Sequence, residues 1–386
     1  MPNCRRRGSW RRCRGRRGEQ RAASLLRSFD LKSRRNWIVL AILLVAAALL
    51  IAYGRHRIHF SWHIFVEQLR QAEWGRILLA LGSIYLGYVF RSVRWALLIR
   101  HNKRVPLLSL LGTQVIGFTA VALIGRVADP VRPYLVSKKT GLPLSSQVAV
   151  YIVERLFDAG SMALIFCSVI LLAPAGSLPH PEIIRKASYT ALATTIAGGL
   201  FLVAVRFSGS AVASFSERAF SVASRKLGKA VGDKIRTFHA GLDTLRSFSD
   251  FGTVLTLSLA MWFLIALAYL ETTRAFVASP QLGHMTVSQC MLLMASSMVA
   301  SGFQLPILGW FTQIIAVAAA MSGFFGVASE PATGCAATLL LVTFLGIVPV
   351  GLIWARFDHV SLKNVTRESG HAEEDVTHPP VTTQEA

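Results

Sequence analysis

Apolar runs long enough to cross a bilayer recur along this 386-residue chain, and they limit its fold more than any other feature. A hydrocarbon core of about 30 Å takes roughly 20 apolar residues as a helix. Lipid offers no hydrogen bonds to an open backbone, so only helices and closed barrels cross it. The short alternating strands of a barrel are not evident. Charged residues make up 16% of the chain, against about a quarter in a soluble domain. The chain therefore reads as an all-α polytopic membrane protein with about six to eight transmembrane helices.

Charge sets the expected topology. The net charge is +21, and much of it lies in residues 1–35, around "RRRGSWRRCRGRRGEQR". That stretch has no periodic apolar face and reads as a disordered cytoplasmic tail drawn to anionic lipid. Nucleic-acid or polyphosphate binding is the alternative, on charge alone. "SRRNWIVLAILLV" has the look of a twin-arginine signal, but the helix runs on to Tyr53 without a small-x-small cleavage site. It reads as a retained anchor over 36–53. "SWHIFVEQLRQAEWG" is amphipathic and suits the interface. Further spans are expected at 75–99, 146–173, 188–206 and 250–276, with apolar pieces at 286–304, 307–326 and 332–355. Residues 36–356 form the membrane domain, and 357–386 a disordered cytoplasmic tail. Both termini then face the cytoplasm, which suits a multi-pass protein of the plasma (inner) membrane.

The segment 105–125 is long enough to span, yet a full crossing would put the basic residues of 126–139 and of 206–249 outside. The sequence predicts a re-entrant segment whose return limb is "GRVADPVRPYLVSKK". A second broken segment is expected around "SGFQLPILGW", marked by Gln304, Pro306, Gly309 and Gln313. Two interrupted segments, one in each half, fit an inverted repeat of the transporter type.

Charges at membrane depth carry the chemistry. Glu154, Arg155 and Asp158 fall within one otherwise apolar helix, and Glu154 and Asp158, four apart, share a face. Three lipid-facing charges would cost roughly 8–10 kcal/mol, so they must face protein or water. A salt-bridge cluster that joins helices is one reading; a polar site is the other. Arg94 reads as an interfacial anchor that snorkels, and Arg91 lies deeper. Arg91, Arg94, Arg126, Arg132 and Arg155 outnumber Asp129, Glu154 and Asp158. Surplus arginine beside broken backbone favours an anionic headgroup such as a lipid phosphate. The carboxylates would orient the arginines or hold an amine.

No metal or cofactor is expected. Cys4, Cys13, Cys167, Cys290 and Cys335 form no CxxC or metal-spaced set, and neither an HExxH motif nor a P-loop is present.

These residues resemble the transmembrane, flippase-like domain of lysylphosphatidylglycerol synthases and its stand-alone relatives. That family carries Arg-x-Gly-Glu-x-x-Arg followed by Glu-Arg-x-x-Asp on the next helix. Here Arg126, Asp129 and Arg132 match the first motif, with Ala-Asp in place of Gly-Glu, and Glu154, Arg155 and Asp158 match the second. "FRSVRWALLIR" is similar to the family's Arg-Trp segment at Arg94 and Trp95. In the second half Pro306 and Gly309 are kept, and Gln313 stands near an expected Glu. The resemblance implies movement or binding of a phospholipid or lipid-linked carrier. It does not imply lysine transfer, since about 30 residues after the last span cannot form such a domain.

The leading expectation is a lipid translocator, not an enzyme and not driven by ATP within this chain. Its substrate would be an anionic or aminoacylated phospholipid or a lipid-linked carrier. A membrane-embedded transferase on a lipid-linked substrate is one alternative; a scaffold for a lipid-modifying enzyme is another. Partners expected are the lipid substrate, an anionic membrane surface, such an enzyme, and further copies of the chain.

Overall fold

The computed structural model describes residues 61–174, 181–221, 224–225, 228–233, 235, 247–302, 308–361, 365–366 and 368–369. The anchor expected at 36–53 lies outside them, as do residues 1–35 and the second-segment residues Gln304 and Pro306. No strand occurs among the described residues. Helices α1 (Trp62–Arg70), α2 (Trp74–Ile99) and α3 (Leu107–Ile124) are followed by a 3-10 turn (Arg126–Ala128), α4 (Val131–Thr140) and α5 (Leu144–Leu171). Then come α6 (Pro181–Ser221), α7 (Phe248–Arg274), α8 (Pro280–Gly283), α9 (Val287–Ser301), α10 (Leu308–Phe325), α11 (Ser329–Thr343) and α12 (Val348–Phe357). The chain is an all-α polytopic membrane protein.

Four helices, α2, α3, α6 and α7, are long and apolar enough to cross a membrane. Residues Ser329–Thr343 and Leu345–Phe357 make a fifth as a pair bent by 43°. The bend has a local cause: Pro349 lacks an N–H and its ring crowds the carbonyl four residues back. Helix α5 has the length but carries Glu154, Arg155 and Asp158 in its middle.

Polar contacts fix the direction of each helix. At one end of the bundle, Arg100 and His101 after α2 pair with Asp250 at the start of α7. At the other end, Arg76 near the start of α2 pairs with Glu271 near the end of α7 at 2.9 Å. These two helices are therefore antiparallel. The first end also carries Lys103, Arg104, Lys138 and Lys139, and we call it the basic end.

From the basic end, α3 rises about 27 Å at 1.5 Å per residue. The chain turns at Gly125, whose φ of 92° lies where glycine is favoured. Helix α4 then descends beside α3. Its start accommodates both prolines, Pro130 as N-cap and Pro133 in the first turn, where no intrahelical N–H is lost. The return is fixed by Lys103 Nζ, which donates to the carbonyl of Thr140 at 2.6 Å. Helices α3 and α4 thus form the expected re-entrant hairpin. The second hairpin, α9–α10, enters from the opposite end: Arg274 Nε donates to Met285 O, just before α9, at 3.2 Å. Deeper in, Gln313 Nε2 donates to Ser297 Oγ at 2.5 Å.

The hairpin tips meet. Trp310 Nε1 donates to Ala122 O at 3.0 Å, and Arg126 Nη2 donates to Ser301 Oγ at 3.2 Å. The Ala122 carbonyl lies in the last turn of α3, where the helix leaves acceptors open. The order span, hairpin, span occurs twice with opposite direction: α2, α3–α4, α5 and then α7, α9–α10, α11–α12.

The first residues of the tail pack against the bundle, and residues 370–386, where disorder is expected, lie outside the described residues. Asp358 pairs with Lys139 at 2.8 Å, Glu368 accepts from Tyr134 at 2.8 Å, and Val365 and Ser369 are buried. The lysines ending α4 attract acidic groups that the sequence places just beyond the last span.

Single cysteines at 138, 229 and 281, in a background with Cys4 and Cys13 changed to Ser, test this topology. Lys138→Cys and Lys229→Cys should react with an impermeant maleimide from one side, and Gln281→Cys from the other. Labelling of 138 and 229 from opposite sides would remove the re-entrant assignment.

Candidate functional site

The structure gathers the charged residues expected in one notch but divides them into a sealed cluster and a cavity wall. The cluster holds Arg94, Arg132, Glu154 and Asp158, which are 1%, 0%, 1% and 4% exposed. Arg94 uses Nη2 on Glu154 Oε1 and Nη1 on Asp158 Oδ1, both at 2.7 Å. Its Nη1 also donates to Ser258 Oγ on α7 at 2.6 Å. Arg132 donates from Nη2 to Glu154 Oε2 and from Nε to Gln114 Oε1 on α3 at 3.1 Å. Arg94 is therefore no snorkelling anchor. Carboxylates on α5 meet it inside the protein, a stronger attraction than a distant water interface offers.

Arg132 has a seat made by sequence. A Cβ on Gly117 would lie 2.2 Å from Arg132 Cγ, so only glycine lets α4 approach α3 here. The guanidinium then stacks on Phe118, with Arg132 Cζ 4.5 Å from the ring centre. Arg91 approaches the same ring at 4.9 Å. Such contacts add about 0.5–2 kcal/mol each.

Arg91 and Arg155 join the cluster to the cavity. Arg91 Nη1 lies 3.3 Å from Asp158 Oδ2 and 3.5 Å from Glu154 Oε1. Arg155 Nη2 lies 3.7 Å from Asp158 Oδ2, beyond hydrogen-bond reach. Both side chains also line a cavity of about 350 Å³, with Arg126 and Asp129 from the first hairpin tip. Among the described residues, Asp129 makes no ion pair, and Arg126 makes only its bond to Ser301. Three arginines against one carboxylate leave this wall positive.

The opposite wall comes from the second hairpin and is polar without charge: Ser297, Ser301 and Gln313. Gln313 is 8% exposed, and its Oε1 has no hydrogen-bond partner. Gly309 is buried on the same hairpin. Tyr88, Trp262 and Tyr269 complete an aromatic lining. Thr343 and Phe344, where α11 breaks, also reach the cavity. The described residues contain no group of three or more His, Cys, Asp or Glu side chains placed to hold a metal.

Gln114, Ser258 and Ser297 were not singled out by sequence. The signal was present for the first two, as polar side chains within the apolar stretches "LLGTQVIGF" and "TLSLAMW", where an unpaired polar group is costly. Nothing local marks Trp262 or Tyr269 as cavity residues.

Gly117→Ala should lower the thermal midpoint of the detergent-solubilised protein by displacing Arg132. Gly160→Ala on α5, where a Cβ meets open space, should leave it unchanged or raise it by the equivalent of about 0.5–1 kcal/mol. Equal midpoints for both variants would show that Arg132 needs no such seat.

A family model described as the lysylphosphatidylglycerol synthase TM region matches residues 18–351. No curated protein sequence matches the chain significantly. The family match contains the α3–α4 hairpin, the charged helix α5 and the second hairpin together, and the chain belongs to the lysylphosphatidylglycerol synthase TM-region family.

Proposed function

We propose that this protein translocates a lipid with an anionic headgroup between leaflets, without ATP coupling in this chain. The observation that carries the proposal is the cavity where two oppositely directed hairpins touch, with Arg91, Arg126 and Arg155 on its wall. Arg91 lies eight residues before the end of α2, about 12 Å in from the basic end. A headgroup there has left water but not polar surroundings. A cavity of about 350 Å³ suits a headgroup and not acyl chains, which would remain in lipid. The arginines can hold phosphate oxygens through charge-assisted hydrogen bonds.

In this reading the basic end is cytoplasmic, by the positive-inside rule, and the membrane is the plasma membrane. The basic N-terminal tail docks on anionic lipid. The sealed cluster is architecture, and the cavity arginines touch the substrate. The protein itself breaks no bond of the lipid.

Reconstituted liposomes with headgroup-labelled phosphatidylglycerol test the proposal. Arg126 is exposed and makes one hydrogen bond among the described residues, so Arg126→Ala should fold normally. Losing a charge-assisted contact worth about 1.5–3 kcal/mol should slow leaflet exchange roughly ten- to hundredfold. Wild-type exchange rates in Arg126→Ala, or a chemically altered lipid without exchange, would reject the translocator. Glu154→Gln should behave differently. It leaves buried arginines short of a partner, a loss of about 3–5 kcal/mol, and should appear as a lowered thermal midpoint and poor yield. A Glu154→Gln protein as stable as wild type would show that the cluster is not the architectural element.

A further inference from the structure

We propose that the end of α4 is an anion site at the membrane surface, occupied by carboxylates of the chain's own C-terminal segment, and that an anionic bilayer displaces them. This holds whatever the main cavity carries. Helix α12 ends in a reversal. His359 is, among the described residues, the non-glycine residue with positive φ, 52°. Val360 N–H donates back to Ala355 O at 2.8 Å, the bond of a helix that turns through a left-handed residue. The chain thereby folds over the first hairpin as a strap. Lys139 Nζ donates to Asp358 Oδ2 at 2.8 Å, and Tyr134 Oη donates to Glu368 Oε2 at 2.8 Å. Lys138 Nζ stands 3.8 Å from the same Glu368 oxygen.

The strap is lightly held. A second cavity of about 400 Å³ separates it from the hairpin, with Thr113, Ile116, Lys138 and Lys139 on the hairpin side. Val365 is buried among apolar residues of α3 and α4, and Val360 packs there in part. The side chains of Lys138 and Glu368 are 64% and 47% exposed, and solvent-exposed pairs of this kind hold little. An anionic leaflet acts on both partners at once. It attracts Lys138 and Lys139, which lie at the end of the bundle where α3 begins. It repels the segment 358–386, which carries six acidic and two basic residues. Lipid phosphates then take the places of Asp358 and Glu368. Lysine meets phosphate as a point charge, so the site answers to headgroup charge and not to headgroup shape.

Ser369 is 1% exposed in the closed strap. Full-length Ser369→Cys, with Cys4 and Cys13 changed to Ser, reads the strap through its rate with an uncharged, water-soluble maleimide. The thiol should react slowly in nanodiscs of phosphatidylcholine and about tenfold faster when phosphatidylserine replaces about a third of the lipid. An anionic surface gathers protons and so slows thiolate chemistry; a faster reaction therefore reports exposure. Ser361→Cys, at an exposed position in the same segment, should not accelerate. Equal rates for Ser369→Cys in the two lipids, or equal acceleration of Ser361→Cys, overturn the proposal. Salt at about 1 M should bring the two rates together, and a lipid difference that persists there overturns displacement by charge. Asp358→Asn with Glu368→Gln should open the strap in phosphatidylcholine, raising the rate about three- to tenfold; an unchanged rate overturns the role of the carboxylates. Inorganic phosphate at matched ionic strength should leave the rate in phosphatidylcholine unchanged, and acceleration by it overturns the bilayer as the occupant. If Ser369→Cys does not fold, trypsin cleavage of the wild-type chain after Lys363 and Arg367 decides: it should be faster in the anionic discs, and equal cleavage overturns the proposal.

Discussion

Glu154 holds Arg94 with one oxygen and Arg132 with the other, and the arrangement of this membrane protein depends on that shared carboxylate. Arg94 belongs to α2, Arg132 to α4 and Glu154 to α5, and Ser258 adds α7 through Arg94. One buried network therefore ties the first hairpin to three long helices. Hydrophobic attraction cannot do this in lipid, where the surroundings are as apolar as the helix faces. Buried ion pairs give little net stability over apolar packing, yet are costly to break from one side. Their contribution here is register: α4 stops where Arg132 reaches Glu154.

The same pairing explains why so many charges coexist with an apolar bundle. Four arginines surround two carboxylates, and the positive surplus is not dispersed. It emerges through Arg91 and Arg155 on the cavity side, where Arg126 and Asp129 join it. The sealed cluster, two arginines against two carboxylates, is neutral by itself and consumes the acids, so the positive field of the open cavity comes from Arg91, Arg126 and Arg155. Glu154→Gln and Arg126→Ala differ for this reason. One removes a strut and the other a contact, although each residue falls in one of the two family-like motifs.

Much of the architecture could be read from the sequence because lipid leaves few options. The apolar runs became α2, α5, α6, α7 and the shorter helices within a few residues, apart from α6, which extends well beyond the expected 188–206. The basic residues of 126–139 and of 206–249, with the cluster after α2, gave the re-entrant hairpin, since a crossing would have scattered positive charge on both sides. The glycine and prolines of "GRVADPVRPYL" served as turn and helix start. Pairing was less legible. Charge counting shows that arginines exceed carboxylates, but not which arginine each carboxylate meets. Arg94 looked interfacial because distance along one helix was the available measure, whereas its partners lie 60 and 64 residues away in sequence. The uncharged wall at Ser297 and Ser301 was silent because serine is common in membrane helices. It acquires meaning only from facing Arg126.

The two hairpins are alike in path and unlike in what holds them. The first is bound through Arg132, whose removal from Glu154 would strand charge in a dry interior. Its lower end is tied again by Lys103 to Thr140 and by Lys139 to Asp358. The second carries no comparable charge, and its described polar links to the first are the Trp310–Ala122 and Arg126–Ser301 bonds. Each such bond is worth about 0.5–1.5 kcal/mol net, or up to about 3 where a charge takes part. Parting the tips therefore costs less than shifting the first hairpin against α5. Arg126 is placed at that weak joint, and a phosphate that accepts its hydrogen bonds would replace Ser301 and separate the tips by competition. In the proposed cycle, binding the headgroup and opening the contact between hairpins are then one exchange of partners at a single guanidinium.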